Sequence, residues 1–133
     1  MKSFGRAETV LKQAVSMSDT VARAHVALGM LYYRTRRHDD AVESFAQAIA
    51  LSPEDAELRA ALGAAQSKAG RPDEAAAAYA KAIELGRRTP QMHFQLGAAL
   101  SRAGDTAGAQ VHVEVLEKVD PTLADRLRAM IAR

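Results

Sequence analysis

Leu28-Gly29, Leu62-Gly63 and Leu96-Gly97 recur at a spacing of 34 residues, and Ala41, Ala75 and Ala109 follow at the same interval. A period of this length, with a small residue in one helical segment and another twelve positions later, reads as a helix-turn-helix unit that stacks on copies of itself. Such a stack is expected to place function on a surface shared between units, not in an active-site cleft.

Composition fits that reading. The chain has 133 residues, 48% hydrophobic and 26% charged, with 5% aromatics and no cysteine, which favours a single all-α domain. Without cysteine there is no disulfide framework, no thiol nucleophile and no Cys-containing zinc site, and reducing and oxidising compartments stay equally open. The start, Met1-Lys2-Ser3-Phe4-Gly5-Arg6, turns polar at once, and nowhere do eighteen apolar residues run together. No leader or membrane span is therefore expected; a cytoplasmic location is favoured, and a periplasmic one would need a removed signal.

Net charge is +2, but unevenly spread. Residues 1–38 hold seven Lys/Arg against two acids, residues 39–80 three against eight, and residues 81–133 eight against six. The acidic middle third interrupts the basic stripe a nucleic-acid binder would show.

The full units run 22–55, 56–89 and 90–123, each as helix A then helix B. In the first, His25, Leu28, Gly29 and Tyr32 share one face of a helix over about 21–35, and Ala41, Val42, Phe45, Ala48 and Ile49 one face of a helix over about 39–51. The same phase predicts helices near 55–69, 73–85, 90–103 and 106–119. Ser52-Pro53-Glu54-Asp55 reads as a helix start with Ser52 as cap and Pro53 in the first turn; Thr89-Pro90 and Asp120-Pro121 repeat the signal. Gly70 and Gly104 fall where helix A reverses into helix B and a left-handed residue is wanted, a place Arg36 takes in the first unit. Gly29 and Ala41 are expected to be small because the two helices cross closely there. Residues 4–21 match a helix B without its helix A, which leaves Val10, Leu11, Ala14 and Met17 as an apolar edge. Leu123, Leu127, Met130 and Ile131 give residues 122–133 one amphipathic face that caps the third unit.

These residues resemble the tetratricopeptide repeat, whose pattern of Leu-Gly, aromatic, Ala, aromatic, Ala and Pro stands in the first unit as Leu28, Gly29, Tyr32, Ala41, Phe45, Ala48 and Pro53. The second unit keeps Leu62, Gly63, Ala75, Tyr79 and Ala82 but has Gln66 for the aromatic and Arg87 for the proline, which predicts a late start for the next helix. The third keeps Leu96, Gly97, Ala109 and Pro121, with Val113 and Leu116 in place of the aromatic and the last alanine, as in a terminal unit. The resemblance implies a right-handed α-solenoid, a single domain over residues 1–133, and a concave groove formed by helix A positions 2, 5, 9, 12 and 13. Those positions are Arg23, Val26, Met30, Tyr33 and Arg34, then Glu57, Ala60, Ala64, Ser67 and Lys68, then Gln91, Phe94, Ala98, Ser101 and Arg102.

Val26, Met30 and Phe94 would supply an apolar floor for a peptide or helix of a partner protein, and Arg34, Lys68 and Arg102 a basic rim suited to an acidic one. The same three cations also answer the helix macrodipole. The Lys/Asn and Lys/Arg clamp with which some family members hold acidic chaperone tails is absent, since Val26, Met30, Phe94 and Ala98 occupy its places. RNA reading is disfavoured because Val26, Ala60 and Phe94 carry no base-edge donors or acceptors. Catalysis is not expected. Asp39-Asp40 and Asp73-Glu74 fall in first turns of helices, His25 and His93 at a packing position, His38 in a turn and His112 alone on its helix, so neither metal nor cofactor is expected. The predicted function is a non-catalytic adaptor. Its rivals are a homo-oligomeric scaffold pairing through the N-terminal edge and a regulatory fragment of a larger enzyme.

Overall fold

A computed structural model describes the backbone of residues 2–15 and 21–133 and the side chains of residues 5–12 and 21–133. It contains α1 (Lys2–Val15), α2 (Val21–Arg34), α3 (His38–Leu51), α4 (Ala56–Lys68), α5 (Pro72–Glu84), α6 (Pro90–Arg102), α7 (Thr106–Val119) and α8 (Pro121–Ile131), and among the described residues no strand. Each helix packs on the next, and α8 touches both α6 and α7. The result is an all-α solenoid in which α2/α3, α4/α5 and α6/α7 are the three units.

The turns show why the repeat closes. Arg36, Gly70 and Gly104 have φ of 64°, 78° and 89°, and the residue after each donates its amide five residues back, to Tyr32, Gln66 and Leu100. This left-handed cap satisfies the last carbonyls of helix A and reverses the chain. Arg36 bears the Cβ penalty that the two glycines avoid. Gly86, at φ 114°, ends α5 in the same way.

One start signal is placed differently from expectation. Ser52 closes α3, its amide donating to Ala48 and Ile49, and Asp55 caps α4 by accepting from the Leu58 amide at 3.2 Å. Two strong cap formers stood three residues apart, and the turn at Pro53-Glu54 gave the role to the second. Thr89 and Asp120 cap α6 and α8 as expected, with Pro90 and Pro121 in the first turns. The third unit therefore does not start late: Pro90 opens α6 in the phase in which Ala56 opens α4.

Phe45, Tyr79 and Ala75 are buried, and the core runs as clusters that bridge successive helices. A Cβ on Gly29 would lie 2.6 Å from Cε1 of Phe45, and one on Gly63 2.8 Å from Cε1 of Tyr79. The glycine thus makes room for the helix B ring, and helix crossing alone does not account for it. In the third unit the ring is replaced by Val113, and Leu127 of α8 moves over Gly97 instead. At the other end, α1 is tied down by Glu8, which accepts from Tyr32 Oη at 3.1 Å and pairs with Arg37 at 2.7 Å and Lys12 at 3.0 Å. Leu11 packs on the first core cluster and Val10 is exposed, while Ala14 and Met17 lie outside the described side chains.

Candidate functional site

Helix A periodicity puts the predicted groove residues on one side of α2, α4 and α6, but the structure divides them. Met30 is 53% exposed, and together with Tyr33, Arg34, Phe45, Ala61 and Ala64 it lines an apolar pocket of about 230 Å³ between the first two units. Beside it, Tyr33, Arg34, Arg36, His38 and Lys68 line an open depression of about 570 Å³. Tyr33 and Arg34 belong to both walls, so an apolar recess and a cationic one are contiguous. The Tyr33 ring is held edge-on by His38, with centroids 5.7 Å apart at 67°.

Position 5 departs from the expected floor. Val26 packs on the cluster of Ala48, Ile49 and Leu58, Ala60 on that of Ala82 and Met92, and Phe94 on that of Leu116, Ala124 and Leu127. In each unit this residue fills the seam between its own helix B and the following helix. Phe94 is further covered by the Arg126 guanidinium, 4.9 Å from the ring centroid. Met30, Tyr33 and Ala64 thus line the apolar recess, whereas Val26 and Phe94 line neither of these two recesses. Ala98, at position 9 of the third unit, is buried at 2% exposure and presents no surface.

The polar members keep to the rim. Arg23, Gln91, Arg34, Lys68 and Arg102 are exposed, and Ser67 and Ser101 half-buried. Arg102 donates to Ser67 Oγ at 3.3 Å, which links the rims of the second and third units. Glu57 pairs with Arg87 and so is neutralised locally. Phe45, Ala61, Arg36 and His38 reach these recesses from helix B, from a neighbouring face of α4, from the turn and from the start of α3, outside the helix A positions to which the family pattern points.

The acidic pairs Asp39-Asp40 and Asp73-Glu74 occupy first turns of α3 and α5, where the helix dipole favours them. No group of three or more metal-ligating side chains occurs among the described residues. His112, however, does not stand alone: its Nδ1 lies 3.1 Å from Nδ1 of His93. Burial lowers the pKa of both imidazoles, and a charge on His93 would lower that of His112 further.

The tetratricopeptide repeat family model matches residues 20–88. The chain belongs to the tetratricopeptide repeat family. The matched segment spans the first two units, which hold both the aromatic rings of helix B and the two contiguous recesses. No curated protein sequence matches. Among solved structures, the type III secretion chaperone SycD of Yersinia enterocolitica, in complex with a peptide of the translocator YopD, is similar at TM-score 0.71 and 22% identity, over 87% of this chain and 92% of that one. YrrB, described as a tetratricopeptide protein with an unusual peptide-binding site, gives TM-score 0.78 and 23% identity over 90% and 62% of the two chains. The first tetratricopeptide domain of Spaghetti (RPAP3), bound to an HSP90 peptide, gives 0.71 and 20% over 82% and 89%. At these identities the likeness is one of fold. No helix of the described residues is long and apolar enough to cross a membrane.

Proposed function

We propose that this tetratricopeptide domain is a non-catalytic adaptor that holds a segment of a partner protein against α2 and α4. The observation that carries the reading is the shared wall of Tyr33 and Arg34 between the apolar pocket and the cationic depression. A bulky apolar side chain fits the recess over Met30 and Ala64, while an acidic side chain or terminal carboxylate one or two residues away meets Arg34, Arg36 and Lys68. The peptides held by SycD and by the Spaghetti domain lend precedent for such use of the fold.

Selection from a displayed library of random peptides tests it. The expected enrichment is an apolar residue flanked by acids, lost when Met30→Asp is the bait and reduced for Arg34→Glu/Lys68→Glu. Enrichment of the same peptides by wild type and both variants would overturn it.

A further inference from the structure

We propose that His93 of α6 and His112 of α7 form a two-imidazole chelate for a divalent transition-metal ion of the copper, nickel and zinc class. The site lies between the two helices of the third unit, away from the proposed groove between the first and second units, and neither reading depends on the other.

The geometry is set by the pair itself. The Nδ1 atoms are 3.1 Å apart, while the ring centroids are 5.3 Å apart and the rings tilt by 34°, so it is the Nδ1 edges that face each other. An ion bound to both nitrogens at about 2.0–2.1 Å subtends roughly 100° across that 3.1 Å gap, between the angles of a tetragonal and a tetrahedral site. Each ring must swing so that its Nδ1 lone pair, aimed at the other ring in the empty pair, points to the shared ion.

The protonation state suits a metal as well. Two Nδ1 atoms that meet at 3.1 Å cannot both carry a hydrogen there, so at least one Nδ1 lone pair in the empty pair is bare. In the empty pair one neutral ring donates its Nδ1 hydrogen to the other. Binding needs both Nδ1 lone pairs, and the donor ring obtains its own by moving that hydrogen to Nε2 through exchange with water, with no net proton released. Both residues are half-buried, so solvent reaches them and water is available to complete the coordination sphere.

The arrangement is particular to one unit. Ser44 and Ala78 occupy the helix B places that correspond to His112, and Arg59 the helix A place of His93 in the second unit, so the period does not by itself produce the pair. Its two ligands come from different helices of one unit. A bound ion would therefore staple α6 to α7 and stabilise the folded state over the unfolded one.

Copper(II), which leads the affinity order for nitrogen sites, is the probe. The full chain is expected to bind one copper(II) with the electron paramagnetic resonance pattern of two nitrogen ligands. His93→Ala and His112→Asn should each bind on the order of a hundredfold more weakly because the chelate is lost, while His25→Ala keeps full affinity. Equal affinity in wild type and both pair variants would overturn the proposal. If either variant fails to fold, zinc titrated into the wild-type protein gives the answer by NMR. The imidazole signals of His93 and His112 should shift together ahead of those of His25 and His38, and a shift led by His25 or His38, or by none of the four, would overturn it.

Discussion

Leu127 of α8 stands over Gly97 in the space that the ring of Phe45 occupies over Gly29 and the ring of Tyr79 over Gly63. The capping helix is therefore part of the third unit's core. Leu127→Ala is expected to destabilise the protein by about 2–5 kcal/mol, because it removes a fully buried side chain and reopens the space left by Val113. Chemical denaturation checks it, and an unchanged midpoint would mean that α8 is dispensable to unit three.

Phe94→Ala is expected to act in the same place. Its ring packs on Leu116, Ala124 and Leu127 beneath Arg126, so the loss should appear as destabilisation of about 1–3 kcal/mol, with peptide affinity nearly unchanged. Thermal unfolding and binding, measured on one sample, separate the two effects.

Ala75 is fully buried among Tyr79, Met92 and Leu96, so it faces α6 as well as its own unit. Ala75→Leu should cost about 1–3 kcal/mol or more, since the added atoms meet side chains from two helices. Thermal denaturation decides this.

The 34-residue period made the helix pairs and their reversals legible to within a residue or two, because Gly70, Gly104 and the Leu-Gly steps are demanded by local geometry. It did not reveal what a position faces. Val26, Ala60 and Phe94 fill the seam between their own helix B and the following helix, a packing that no spacing within helix A reveals. The amphipathic face of residues 122–133 marks Leu127 as cover but does not show it as a substitute ring, because the exchange takes place between α7 and the capping helix. His93 and His112 are 19 residues apart on separate helices, a spacing without meaning until α6 and α7 lie side by side.

The same pair predicts a pH dependence. Both folded-state pKa values lie below the ordinary 6.5, so the unfolded chain takes up protons first as pH falls. Stability contributed by the neutral pair is complete above about pH 6.5 and is lost as pH descends from there toward the folded-state values. Urea midpoints at pH 7.5 should exceed those at pH 5.5, and His112→Asn should flatten the difference. A midpoint that rises on acidification would contradict the assignment.

Glu8 joins α1 to the first unit through Tyr32 and Arg37, and these partners together with Lys12 of its own helix hold its carboxyl below the usual range, the bond from Lys12 foremost. Glu8→Gln should speed amide exchange in α1 while leaving α4 to α7 unchanged. Hydrogen exchange read helix by helix checks it.

Joint binding of a partner segment by Met30 and the Arg34–Lys68 rim, as proposed, is tested by the affinity of a library-selected peptide for three proteins across a salt series. Met30→Asp should weaken binding by about 1–3 kcal/mol with little change in salt dependence relative to wild type. Arg34→Glu/Lys68→Glu should instead slow association and flatten that dependence. Wild-type affinity and salt dependence in both variants, with helicity intact, would contradict the claim and move the site off the face shared by α2 and α4.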